Sequence, residues 1–444
     1  MLTFIQDLLD AIEASNNSGG GGGETVTGSA ESAQLDQFQP DAFSLAFAYG
    51  KHLIAGGCID QEYNAGPPPL NKLAIGLGDA GPLGWEGPVT VWWAGEELSE
   101  SPDDVTEGYH FHPGYWPEDD TDSTHSGAQE PDSFLADPLQ FSGTAYTALL
   151  LTEAQSSENA VDKHAGIYEC QKVYDYDRNG VQSATASYSV NPALVAADGF
   201  RRAGKLDRIH WPSWYAWKTF CDETISWDDG ESVRSIPRFI ACPVWLAPVS
   251  LPEFLDAVCL VSGAVPQDDG QLVRFRLVTD QTPVHHFDPD NTTGFQMEPD
   301  SLRQRYNRFK VSCRDLDDDY LKPVTLTIER PALLERYPVI EQSISLSNMT
   351  QSQLRRVGEM LMRVSTDNPN RASFIGGADA WRVLPGDYVT VSRPENGWNY
   401  QLCRVEAITD YSTSNRPDLR AFTVRRINGP IYYDTDHQKR QIPE

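Results

Sequence analysis

Several groups of side chains in this sequence could do chemistry. His110 and His112 alternate, so on a strand both imidazoles share a face, with Asp119, Asp120, Asp122 and His125 following; a third metal ligand at a diagnostic spacing is missing. His285 and His286 precede Asp288-Pro289-Asp290-Asn291, but adjacent strand residues point to opposite faces. DYDRNG (175–180) repeats the first half of a calcium loop, whose twelfth position should supply a bidentate Glu and here holds Ala186. The same residues suit a tight turn at Asn179-Gly180. Trp211, Trp214 and Trp217 lie three apart on one helical face, which fits a sugar-stacking platform or, the reading adopted, a buried helix-to-sheet seam. GxSxG, HExxH, GxxxxGK[ST] and GxGxxG do not occur in a useful context. Carboxylates are too numerous for any pair to signal acid/base work. No catalytic, cofactor-binding or metal-binding residue is assigned, and no enzyme activity or cofactor is expected.

The elements that would position these residues are mainly strands. The 34 Gly and 30 Pro, set among Val/Thr/Tyr/Trp runs in 444 residues, favour strands joined by turns and more than one core. Strand-like runs are FSLAFAYG, NKLAIGLG, VTVWW with a hairpin turn at Ala94-Gly95, FSGTAYTALLL, LVRFRLV, RYNRFKVSC, PVTLTIE, DYVTVS, LCRVEAITDY and AFTVRRI. Helices begin at Asn191-Pro192, at Trp211-Pro212, at a Ser250/Glu253 capping box and at a Thr350/Gln353 capping box. The fold class is α+β, mainly β, with several small barrel- or sandwich-like domains and a few short helices. The expected organisation is an amphipathic helix over 1–14, a Gly/Ser-rich linker over 15–32, an acidic region over 33–190 with a long loop at 96–137, a central α+β region over 191–330, a barrel-like domain over 331–430 and an arm over 431–444. In the first of these, Leu2, Ile5, Leu8, Leu9 and Ile12 form an apolar stripe too short to stand alone in water. That stripe and Tyr432 and Tyr433 of the arm are candidate partner-binding residues.

Seven cysteines, none closer than Cys242 to Cys259, supply neither a CxxC metal pattern nor a dense disulfide framework, and read as buried thiols folded in a reducing cytoplasm. No run of apolar residues reaches transmembrane length, and the start carries Asp7, Asp10 and Glu13 where a signal peptide would be basic. The net charge of −29 is unevenly spread. Residues 1–162 hold 27 acidic side chains against Lys51 and Lys72 alone, and no Lys or Arg lies between Lys72 and Lys163. Such a surface repels phosphate.

The order of segments resembles the central region of tail-tip hub proteins of siphophages, including the tip attachment protein of lambda-like phages. The likeness rests on Asn191, Pro192 and Ala193 at a helix start, then Ile209, Trp211 and Ser213, then Cys221, Asp222 and Glu223. PEFLDAVCLVSGAV with GQLVRFRLV, RYNRFKVSCRDLDDDYLKPVTL, MTQSQLRRVGEMLMR and WRVLPGDYVTVSRPENGWNYQLCRVEAI follow in the same order, and EGYHFHPG with DPLQFSGTAYTALLL precedes them. The resemblance spans roughly 40–430 and lacks the receptor-binding extension of the lambda-type protein. It implies a virion protein at the tail tip or baseplate, made in the host cytoplasm. There it would form a homotrimeric ring joining the sixfold tail tube to threefold tip parts. Its implied partners are a distal tail protein, the tape-measure protein and tip or fibre proteins, with genomic DNA passing through unbound during ejection. In that setting Asp103, Asp104, Glu107, Glu118, Asp119 and Asp120 would face the lumen. A carbohydrate-binding or carbohydrate-active β-protein is the alternative.

Overall fold

The computed structural model describes residues 47–63, 70–100, 108–114, 143–152, 164–228, 233–247, 249–299, 306–318, 321–367, 370–410 and 419–429. The 1–14 helix, the 15–32 linker and the 431–444 arm lie outside these residues.

The first described part is all strand: β1 (Phe47–Ala48), β2 (Lys51–Ile54), β3 (Gly57–Tyr63), β4 (Leu70–Asp79), β5 (Trp85–Trp93), β6 (Glu96–Leu98), β7 (Gly108–His112), β8 (Thr144–Thr152), β9 (His164–Tyr176) and β10 (Gln182–Tyr188). One sheet runs β3-β4-β8-β7 and a second runs β10-β9-β5-β6, with β2 lying in line with β10 along the same side of β9. Alternate residues of both sheets share a core: Leu73, Ile75, Leu77, Leu149 and Leu151 from the first, Trp85, Val91, Trp93, Tyr168 and Cys170 from the second. The Ala94-Gly95 hairpin forms as read, with both residues at positive φ (51° and 88°), the geometry of a type I′ turn. The long loop expected over 96–137 is corrected in its first part. Glu96–Leu98 is the return strand of that hairpin, and Gly108–His112 pairs with β8. Surrounding acidic residues hid both short strands.

Helices follow: α1 (Pro192–Arg202), α2 (Trp211–Asp222), β11 (Thr224–Asp228), β12 (Val233–Pro237), β13 (Val244–Trp245), α3 (Leu251–Ser262), β14 (Ala264–Asp268) and β15 (Val273–Leu277). Asn191 caps α1 by accepting the Ala193 N–H at 2.8 Å, and Ser250 and Glu253 form their capping box. Helix α1 is buried from Pro192 to Phe200 because small residues let its neighbours close in. A Cβ placed on Gly199 would lie 2.5 Å from the Phe254 ring of α3.

The last part holds β16 (Pro283–Phe287), β17 (Thr292–Pro299), β18 (Arg308–Arg314), β19 (Pro323–Glu329), α4 (Pro331–Leu334), β20 (Glu341–Ser345), α5 (Gln351–Asp367), β21 (Asn370–Gly376), β22 (Tyr388–Arg393), β23 (Trp398–Asp410) and β24 (Arg420–Arg426). Helix α5 lays Leu354, Val357, Leu361 and Val364 into the same core as the inward faces of β18 and β19. Its expected capping box is half present. Thr350 Oγ1 accepts the Gln353 N–H at 3.2 Å, but the Gln353 amide turns into the core, accepting from Ile240 N and donating to the carbonyls of Ile240 (2.7 Å) and Val261 (3.0 Å). Those buried backbone groups need partners more than the exposed-type cap does.

The barrel-like domain expected over 331–430 also needs correcting. Its sheet runs β16-β22-β23-β24-β21-β17, so both edge strands come from 283–299, while β20 belongs to the separate sheet β19-β18-β20. Only Asp288–Asn291 separates the two edges, and four residues span at most about 14 Å, so the sheet must curl into a half-barrel. Arg393 at the end of β22 donates to Thr292 at the start of β17, crossing the opening. Phe287, Phe374 and Phe422 pack inside, with ring centroids 4.7–5.9 Å apart.

Gly199→Ala should lower stability by about 1–3 kcal/mol through overpacking against Phe254, read as a reduced melting temperature. On the outer face of the half-barrel, Glu406 is buried and held by Arg425 (2.5 Å) and Arg371 (2.9 Å). Burial raises its carboxyl pKa and the two guanidiniums lower it, and the net value lies well below the usual range. Its ion pairs therefore contribute stability above the unfolded pKa of about 4.3, lost as pH falls through the folded value. Glu406→Gln should cost about 3–5 kcal/mol in chemical denaturation at neutral pH.

Candidate functional site

The acidic region is the feature most open to a functional reading, and the structure fixes how it is rooted. Segments 101–107 and 115–142 hold Asp103, Asp104, Glu107, Glu118, Asp119, Asp120, Asp122, Glu130, Asp132 and Asp137 and no Lys or Arg. All of these side chains, including the six expected to face a lumen, lie outside the described residues, as do Leu2, Ile5, Leu8, Leu9, Ile12, Tyr432 and Tyr433.

Their roots are described. Glu100 bridges to Tyr109, and the Tyr109 N–H donates to Ser99 O at 3.1 Å, so 101–107 leaves and re-enters the fold at neighbouring points. Gly114 and Gly143 bound the second segment. A Cβ on Gly114 would sit 2.6 Å from the Thr144 carbonyl carbon, while Ala80 N–H donates to Gly143 O (3.0 Å) and Trp85 N–H to Pro113 O (3.1 Å). The two segments thus flank β7 at its opposite ends, the first beside Glu100 and the second beside the start of β8 and the β4–β5 turn. Exposed Glu96, Glu97 and Glu100 stand at the root of the first segment, and burial together with Glu100 and Glu97 raises the Tyr109 phenol pKa.

The candidate chemistry resolves into packing. His110 and His112 share a strand as expected, and the His112 ring stacks on Tyr146 at 4.3 Å. Among the described residues no group of three His, Cys, Asp or Glu side chains could hold a metal ion. Asp177 spends its carboxylate within its own turn, accepting the N–H groups of Asn179 (2.8 Å) and Val181 (2.9 Å), which lowers its pKa. Gly180 there has φ +84°, and the Trp211 indole lies 2.4 Å from where a Cβ would be. His285 lies 3.4 Å from Asp379, whereas His286 stacks on Tyr400 at 4.5 Å and meets Thr390 Oγ1 at 2.8 Å, two different surroundings for two adjacent residues. Trp214 and Trp217 are fully buried. Trp214 Nε1 donates to Ala193 O (2.7 Å) and Trp217 stacks on Phe275 of β15 at 4.7 Å, so the row is a seam and offers no open sugar platform. The six described cysteines are free and buried; the side chain of Cys58 lies outside the description. No described helix is long and apolar enough to cross a membrane.

Sequence reasoning missed two buried histidines, of which His52 joins the sandwich to the rest and His164 lies within the sandwich. His52 Nε2 donates to Tyr49 O (2.9 Å) and its Nδ1 accepts from Asn348 (3.1 Å), while His164 lies between Ala55 O and the Tyr168 hydroxyl (3.1 Å). Burial pushes both imidazoles down to about 4. Histidines with no sequence neighbours to flag them gave no local signal.

Comparison with solved structures finds a shared fold. Over 99% of both chains, it superposes on a chain of the virion of a native gene transfer agent particle with a TM-score of 0.61 at 14% identity. A tail protein from Neisseria meningitidis MC58 aligns over 88% of this chain and 98% of its own, at 10% identity and a TM-score of 0.35. No protein-family model and no curated protein matches the sequence. The chain shares its fold with the gene transfer agent virion chain.

Both buried imidazoles have folded pKa values below the unfolded value of about 6.5, so the stability they contribute is complete above that pH and lost as pH falls toward 4. Melting temperature should fall through this window, and replacing either histidine with Gln should flatten the fall.

Proposed function

We propose that this chain is a structural, non-enzymatic component of a phage-like tail, acting as a hub at the tail tip or baseplate. The observation that carries the reading is the end-to-end fold match to a chain of a gene transfer agent virion. The order of segments shared with siphophage tail-tip hubs supports the finer assignment. In this reading three copies form a ring joining the sixfold tail tube to threefold tip parts. A distal tail protein, the tape-measure protein and tip or fibre proteins are its neighbours. Residues 1–14 and 431–444 serve as docking arms. The regions 33–190, 191–330 and 331–430 are the working divisions, with 283–299 lent to the last.

Physical chemistry gives the acids a role in that ring. Two segments without a single cation, rooted at the two ends of β7, would present a wall that repels phosphate and lets DNA pass without sticking.

Sedimentation of the purified full chain should give three times the monomer mass, and gold-labelled antibody should mark one end of the tail. A monomer stabilised by saccharide would overturn the hub. Neutralising Asp103, Asp104, Glu107, Glu118, Asp119 and Asp120 to Asn or Gln should leave the melting temperature and ring assembly unchanged but slow DNA ejection. Unaltered ejection would remove the lumen role.

A further inference from the structure

We propose that Ile431, Tyr432 and Tyr433 fold back onto their own half-barrel and cover an apolar patch made by Val284 and Tyr400. The patch belongs to the outer side of the sheet. Phe287, Val389 and Cys403 point into the half-barrel core, so their neighbours His286, Thr390 and Leu402 point outward, and the register sets those three side by side on β16, β22 and β23. Tyr400, two residues before Leu402, stacks on His286 at 4.5 Å and is still 68% exposed. It also stands at φ +47°, a backbone that glycine would suit better. Val284 occupies the bulge where the β16 register shifts between Pro283 and His285, and is 52% exposed.

The chain heads for this patch as it leaves the described residues. Past β24, the Ile427 N–H donates to Leu402 O at 2.8 Å and the Gln401 amide donates to Ile427 O at 3.0 Å, so the chain still follows β23 there. Two residues later it has turned toward β16, because Gly429 O accepts from the Gln281 amide at 3.5 Å, three residues before Val284. With strands about 4.8 Å apart and about 3.3 Å of rise per residue, Tyr400 stands about 8 Å from Ile427 and Val284 about 15 Å. Tyr432, five residues beyond Ile427, can reach about 17 Å. Both members of the patch are within its span.

The chemistry of the segment fits. Ile431, Tyr432 and Tyr433 are the only run of large apolar side chains in 430–444, and β-branched and aromatic types suit an extended segment laid against a sheet. A segment leashed this closely meets its own chain at an effective concentration on the order of millimolar, which favours self-contact over a neighbouring copy. From Asp434 onward the sequence is mostly polar and charged, and that part stays available for docking to other proteins. The contact stands whether or not the chain is a tail hub.

The test uses the full chain with the photo-crosslinker p-benzoylphenylalanine in place of Tyr432, mixed before assembly with an excess of an isotope-heavy copy. Irradiation should attach position 432 to residues 283–287 or 398–402 of its own light chain, read by peptide mass. Adducts to heavy peptides, adducts elsewhere or no adduct overturn the contact. A second measurement needs no crosslinker. Ile431→Ser, Tyr432→Ser and Tyr433→Ser together should lower the melting temperature by a few degrees. The same three changes should have no effect once Val284→Ser and Tyr400→Gly are present, a background in which glycine suits the positive φ and keeps the fold intact. An equal drop in both backgrounds, or none in either, overturns the proposal.

Discussion

A single buried carboxylate, Asp198, ties the strand-rich first part of the molecule to the helices. It stands on α1, 2% exposed, and takes the Tyr49 hydroxyl at 2.5 Å together with Arg201 (2.8 Å) and Arg202 (2.7 Å). Arg202 continues to the Gln171 side chain (3.0 Å), and Gln171 donates to Asp79 O (2.5 Å), so one polar chain runs from helix to sandwich. Burying that carboxylate is tolerable only with every partner present, which is why the arrangement fixes relative position as well as contributing energy. Arg202 also lies over the Phe47 ring at 4.2 Å and leaves no room for a side chain at Gly81. Strand β1, only two residues long, is held by these contacts and by pairing with β13.

Local features were legible in the sequence because their causes are local. Asn191-Pro192 opens a helix since the Asn side chain caps it and proline costs nothing at the first turn. PVTLTIE became β19 over the same seven residues, its alternation matching one buried face. The Asn179-Gly180 turn followed from the need for positive φ. What could not be read joins distant positions. Gln353 looks like a capping residue until Ile240 and Val261 are brought beside it, and nothing near Pro283–Pro299 says that its partners are β21 and β22. The acidic region was legible as composition, while its attachment at the two ends of one strand required the pairing of β7 with β8.

Charge is handled differently in the two parts of the molecule. The first third concentrates acids, with 27 of them against two lysines over residues 1–162. The half-barrel instead draws cations inward: Arg404, Arg425 and Arg393 are all buried, and Arg393 lies over the Phe295 ring at 5.0 Å. Guanidinium tolerates such places better than ammonium because it is planar and weakly hydrated. The same polypeptide therefore carries a strongly anionic first third and a cation-rich seam.

The curled six-stranded sheet has a consequence for the growing chain. Its two outer strands, β16 and β17, are made first, and their partners β21 and β22 begin only at Asn370 and Tyr388, after the whole β18–α5 unit. During synthesis these two strands wait for partners far along the chain, and their pairing is of high contact order, the kind that forms slowly. The β18–β19 hairpin and α5 can settle beforehand. The half-barrel is thus set to be among the last parts to become native, and a chain cut short before β24 would leave β21 and β23, its neighbours in the sheet, exposed to pairing with other chains.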